Sequence, residues 1–212
     1  MTNLENLFQQ YLYVSKNVLS EIFSDLLLER IILSIIEEFD IVLNSPLTKE
    51  VTPKEINQHM HLVTACFIIA LHRALKIEIS PDVSIDDIKE ISIKIFQELV
   101  GPLADMQKNE LNMVENKWKT FKESTINGTS TTYSSFNPKF IKGNEEVLEF
   151  HLNKCIFYEV FKVHEELALA PILCFYDHIF AAAVEEWIDF KRSKTIADGA
   201  DYCQFCYIFR GS

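Results

Sequence analysis

Residues 53–75, PKEINQHMHLVTACFIIALHRAL, read as a helix that is apolar almost all the way round. Such a helix has no face to offer water and must be wrapped by other elements on every side. The segment therefore belongs at the centre of a layered core, and the rest of the chain has to supply the layers. At 212 residues, 48% hydrophobic with 16 Phe and only 5 Gly, the chain has the material to do so and is expected to form one domain spanning 1–212. The uncharged run 58–72 is shorter than a bilayer span and carries three histidines, so no membrane span is expected.

Helical spacing dominates the first half. Leu19, Ile22, Phe23, Leu26, Ile31, Ile35 and Phe39 recur at the 3.6-residue period across 7–43. Thr52-Pro53-Lys54-Glu55 has the form of a helix start, with a cap, a proline in the first turn and acidic support. Ser84 and Asp87 have capping-box spacing and open a helix that Gly101-Pro102 is expected to break. A further amphipathic helix is expected to about Glu123, and the small polar residues of 124–138 read as a surface loop. The period then changes. Leu148, Phe150 and Leu152 alternate with polar residues, as do residues 187–192 and 202–209, while 155–167 and a segment from Pro171 to Val184 return to helical spacing. The expected fold is α+β: an N-terminal helical block packed with a small antiparallel sheet formed mainly by the C-terminal third.

The formal net charge of −11, with no basic cluster, excludes binding to nucleic acid phosphates. The N-terminus lacks the basic and apolar regions of a secretory leader, and five cysteines is an odd number for a disulfide framework. A cytoplasmic location with free thiols is the expectation. The terminal Cys203-Gln-Phe-Cys206 invites a metal or redox reading. In a strand, however, residues three apart point to opposite faces, no second ligand pair accompanies it, and two separate strand cysteines are expected. No zinc motif, P-loop, dinucleotide fingerprint or nucleophile elbow is present, so neither metal nor cofactor is expected.

Cys155 stands where a strand ends and a helix begins, beside Lys154. A helix N-terminus stabilises a thiolate, and a small buried residue at a tight corner is the equal alternative. Cys174, Asp177 and His178 lie at i, i+3 and i+4 on one expected helix, which is the composition of a thiol nucleophile with its base; a buried cysteine with a polar rim explains the same pattern. Asp177 stands out because Phe175, Tyr176, Ile179 and Phe180 surround it. His72-Arg73, at the end of the central helix, can present a guanidinium to a carboxylate. His164 is expected at the surface.

Three runs resemble a known family in combination: Lys154-Cys155-x-x-Tyr158-x-x-Phe161; Pro171-x-x-Cys174-x-x-Asp177; and Arg192-x-x-Thr195-Ile196-Ala197-x-Gly199-Ala200-Asp201-x-Cys203-x-Phe205. With Ala70-Leu71-His72-Arg73-Ala74-Leu75 upstream, they resemble the L-2-amino-thiazoline-4-carboxylic acid hydrolase family, loosely over 58–78 and well over 147–209. The closing Gly-x-Asp-x-Cys-x-Phe is also similar to the end of 4-vinyl reductase type ligand-binding domains. The resemblance implies a hydrolase that adds water between the ring N and S of a small thiazoline and opens it to a carbamoyl-cysteine. On it, Cys155 or Cys174 is the nucleophile, Asp177 the base or its orienter, and Arg73 a carboxylate anchor. His72, Tyr158 and His178 join Arg73 as substrate-contacting residues. Cys206 and Ala200 depart from the family pattern. The expected partner is a small-molecule substrate, with a homo-oligomer left open. The alternative is a non-catalytic binding module for an apolar or planar small molecule.

Overall fold

The computed structural model describes residues 3–211. The chain is α+β, with nine α-helices and a four-stranded antiparallel sheet in its C-terminal third among those residues. It divides into two compact units, Met1–Leu99 with Ile156–Leu173, and Val100–Cys155 with Cys174–Ser212.

The first unit is helical. It contains α1 (Asn3–Ser20), α2 (Asp25–Asn44), α3 (Pro46–Val51), α4 (His59–Glu78), the start of α5 (Ile85–Asn112) and α7 (Ile156–Val163). The central helix is α4, in which fourteen of twenty residues are buried. It is long and apolar enough to cross a membrane, yet 78% of its most apolar window is covered by protein, so burial accounts for its composition. Against it α2 lays Leu28, Ile31, Ile35, Phe39 and Val42, spaced three and four apart as a core-facing stripe requires. From α1, Tyr11 stacks on Phe67 at 4.5 Å and its hydroxyl lies 3.0 Å from Thr64 Oγ1, so this buried phenol keeps a polar partner.

The second unit carries the sheet, in order β1-β2-β4-β3: β1 (Pro138–Gly143), β2 (Val147–Leu152), β4 (Cys203–Phe209) and β3 (Ile188–Lys191). Leu148, Phe150 and Leu152 pair with Tyr207, Phe205 and Cys203, which gives the sheet one apolar, aromatic face. Phe150 stacks on Phe205 at 4.9 Å and Phe190 on Tyr207 at 4.9 Å. From α6 (Lys117–Thr132), Trp118 and Phe121 pack on Phe209 and Tyr207 of that face. Two short helices, α8 (Ala170–Cys174) and α9 (Tyr176–Ala183), precede β3. Before β4 the chain turns at Gly199, whose φ of 87° lies in the left-handed region that only glycine enters without strain.

Several local expectations change. Thr52-Pro53 does not open a helix: Thr52 closes α3, donating its hydroxyl to the Thr48 carbonyl, and α4 begins at His59. The Ser84–Asp87 capping box forms, with reciprocal backbone-to-side-chain bonds of 3.1 Å, but α5 continues through Gly101-Pro102 to Asn112. Buried Val100 and Ala104 flank the proline, and their packing outweighs its missing N–H. Residues 124–132 are helix, not loop, because α6 is anchored by Trp118, Phe121 and Thr129 while its polar side faces water. The strand β1 escapes the alternation test because five of its six residues are exposed at the sheet edge. Pro138 opens it, where a missing ladder donor costs least.

Candidate functional site

The single helix expected from Pro171 is broken at Phe175 into α8 and α9. Cys174 ends the first and Asp177 lies in the first turn of the second, so Cys174, Asp177 and His178 do not share one continuous helical face. Arg192, just past β3, brings the first two together. Its Nη1 donates to the Cys174 carbonyl at 3.1 Å and to Asp177 Oδ2 in a short ion pair, and its Nη2 lies 3.9 Å from Cys174 Sγ. The guanidinium carbon sits 4.5 Å from the Phe205 ring centre. Arg192 is almost fully enclosed, with 6% of its side chain exposed, whereas Asp177 retains 23%.

This is an ion pair in a poorly solvated place, and the surrounding groups show it. Burial pushes the Cys174 thiol up to about 11, although Arg192 pulls it down and Thr195 adds a hydrogen bond. Burial likewise holds the Asp177 carboxyl above its ordinary value against the pull of Arg192. Arg192 is held firmly protonated: burial opposes its charge, and Asp177 more than restores it. Burial, with Asp177 as the next cause, raises the hydroxyls of Tyr133, Tyr176 and Tyr207, that of Tyr176 to about 12. None of these tyrosines, nor Asp177, is closed off by accessible area, and no residue of the apolar helix α9 is buried. These groups are thus poorly solvated yet still partly exposed, the setting in which a small ligand meets weakly screened charge. His178 is exposed and edges onto Phe190, with ring centres 5.4 Å apart.

The other candidates belong to other elements. Cys155 is half-buried and immediately precedes α7, at the helix start expected of it. Tyr158 is half-buried on α7 in the first unit. His72 and Arg73 form a separate cluster there, engaged by the chain's own carboxylates. Glu166 Oε2 lies 3.0 Å from His72 Nδ1, Glu166 Oε1 accepts from Arg73 Nε at 3.2 Å, and Glu38 is 3.8 Å from the guanidinium. Burial pushes Glu166 up, but the bonds and charges of His72 and Arg73 overcome it, and the carboxyl stands below its ordinary range. His164, expected at the surface, is half-buried with Nε2 2.7 Å from Thr48 Oγ1.

The terminal cysteines separate as strand geometry requires. Cys203 is buried and its sulfur accepts from the Ile196 N–H at 3.3 Å, while Cys206 is half-buried opposite Glu149. All five cysteines are free. Among the described residues, no group of three or more His, Cys, Asp or Glu is arranged to hold a metal ion.

Sequence reasoning did not assign roles to Arg192 or Glu166. Glu166 carries no local signal, since its partners are 93 and 94 residues away. For Arg192 the signal was its place at the head of the third family-like run, though Lys191 and Lys194 beside it gave no reason to single out one cation.

Residues 58–207 match the family model described as L-2-amino-thiazoline-4-carboxylic acid hydrolase, a span that contains every candidate residue named above. No curated protein and no solved structure matches the chain.

Proposed function

Because the chain belongs to the L-2-amino-thiazoline-4-carboxylic acid hydrolase family, we propose that it is a hydrolase opening a small cyclic, thiazoline- or amidine-like amino-acid derivative. The observation that carries this reading is Asp177: a partly exposed carboxylate braced by a buried arginine that also lies beside a thiol. In the proposed reaction water adds to the ring carbon between N and S. Asp177 takes one proton of the water and passes it to the ring nitrogen. The hydroxyl left on the carbon then collapses to a carbonyl as the C–S bond breaks, and its proton passes by way of Asp177 to the departing sulfur, leaving a carbamoyl-cysteine. A carboxyl raised by burial is a stronger base than an ordinary carboxylate and suits this task. Cys174 is less suited to attack directly, since a thiol at about 11 is almost wholly protonated at neutral pH. Cys155, at the start of α7, is the thiol to test for a covalent course. The free cysteines suit a reducing compartment, and cytoplasmic location is part of the proposal.

The test follows thiol release from the family's thiazoline substrate. Asp177→Asn is expected to lower kcat by about 100-fold or more with the fold intact. Full activity in that variant rejects the assignment. Loss of turnover in Cys155→Ala, with a covalent adduct trapped in the parent protein, assigns the covalent course; retained turnover leaves the water course.

A second reading, a non-catalytic binding module for a planar or apolar molecule, is favoured by the half-buried tyrosines Tyr133, Tyr176 and Tyr207 near Asp177. Saturable binding without turnover, surviving replacement of all five cysteines, supports it.

A further inference from the structure

The Arg192–Asp177 pair has three properties that bear on what can bind to it. The cation is fixed: Arg192 is stacked over Phe205, bonded to the Cys174 carbonyl and only 6% exposed. The anion is the accessible partner, at 23%. The fixed cation is also incompletely used. Among the described residues its buried Nε–H has no nitrogen or oxygen acceptor, and beyond Asp177 and the Cys174 carbonyl the guanidinium meets only thiol sulfurs, that of Cys174 at 3.9 Å from Nη2 and that of Cys203. A guanidinium offers five N–H donors in a planar fork, and an orphaned buried donor carries a desolvation cost that a carboxylate relieves.

Charge balance then limits the ligand. At a poorly solvated ion pair an added lone anion or cation leaves one charge uncompensated, which is expensive. A ligand carrying one charge of each sign does not. We propose that the pair opens to receive a zwitterion: the ligand's carboxylate replaces Asp177 on Arg192, and the released Asp177 carboxylate holds the ligand's planar amidinium. This inference rests on the hydrolase reading for its ligand class. A 2-amino-thiazoline-4-carboxylate is such a zwitterion, because its cyclic isothiourea is basic enough to be protonated near neutrality. The aromatic rings flanking Asp177, Tyr176 with Phe180 at 5.7 Å among them, favour a flat cation. Specificity would then come from exchanging one ion pair for two, with Arg192 as carboxylate anchor in place of Arg73, which Glu166 and Glu38 already engage.

The test uses a matched series of five-membered rings that do not ring-open, titrated calorimetrically into the whole protein. The probes are 2-amino-2-imidazoline-4-carboxylate (zwitterion), 2-amino-2-imidazoline (cation alone) and 2-imidazolidinone-4-carboxylate (anion alone). The zwitterion is expected to bind about 100-fold tighter than either singly charged probe. Asp177→Asn, nearly isosteric, is expected to abolish the advantage of the zwitterion over the cyclic urea acid. Equal affinity of zwitterion and urea acid for the parent protein overturns the proposal, as does undiminished zwitterion preference in Asp177→Asn, or no binding of any probe. Zwitterion preference without turnover of the thiazoline rejects the hydrolase reading alone. Turnover without that preference rejects this inference alone.

Discussion

Cys174 has a guanidinium nitrogen 3.9 Å from its sulfur, an arrangement that in open solvent would favour the thiolate. Here burial is the larger influence and the thiol stands at about 11. At pH 8 its thiolate fraction is then about 1 in 1,000, against about 1 in 10 for a thiol at the ordinary 9.0. Iodoacetamide labelling with site mapping by mass spectrometry is therefore expected to modify Cys174 roughly 100-fold more slowly than an ordinary cysteine at pH 8. Because the acid form is neutral and the reactive form charged, the rate should rise about tenfold per pH unit and level off only near pH 11. Fast labelling at pH 7 would contradict the assigned environment. At this scale the sequence showed which residues carry chemistry. It did not show which charge faces which, since Arg192 meets Asp177 across 15 residues and a strand.

Elements were legible where one face is buried and illegible where tertiary contacts override local preference. The alternation of Leu148, Phe150 and Leu152 found β2, and the three-four spacing of Ile31, Ile35 and Phe39 found α2. The polar run 124–132 misled because its composition is that of a turn, whereas Trp118, Phe121 and Thr129 hold it in α6. Gly128 tests this directly. It lies inside α6, and a Cβ there meets nothing within 4 Å. Gly128→Ala is expected to stabilise the protein by about 0.5–1 kcal/mol, read as a rise in thermal midpoint. A loop with left-handed glycine geometry would instead be destabilised by the same change.

For the whole molecule, the contact with the longest reach among the ion pairs is Glu166 with His72 and Arg73, which ties the segment after α7 to the central helix. Glu166 has 18% of its side chain exposed, so water screens the interaction only partly. Glu166→Gln is expected to cost about 2 kcal/mol at pH 7, measured by urea unfolding. The folded carboxyl lies below its ordinary 4.5. Its contribution is therefore complete above that value and lost as pH falls through the lower, folded one. Wild type and variant should differ fully at pH 6–7 and converge in acid. A gap unchanged at pH 3 would rule out ionisation as its source.

By itself the sequence determined the α+β class, the central place of α4, the strand alternation and the separation of Cys203 from Cys206. Each of these follows from periodicity and the need to cover apolar surface, which are local properties of the chain. Only the tertiary structure decided that Arg192 braces Asp177 beside Cys174, and that Arg73 is held by Glu166. Ion pairing depends on distance and on the water excluded around it, and both are set by how distant segments are brought together.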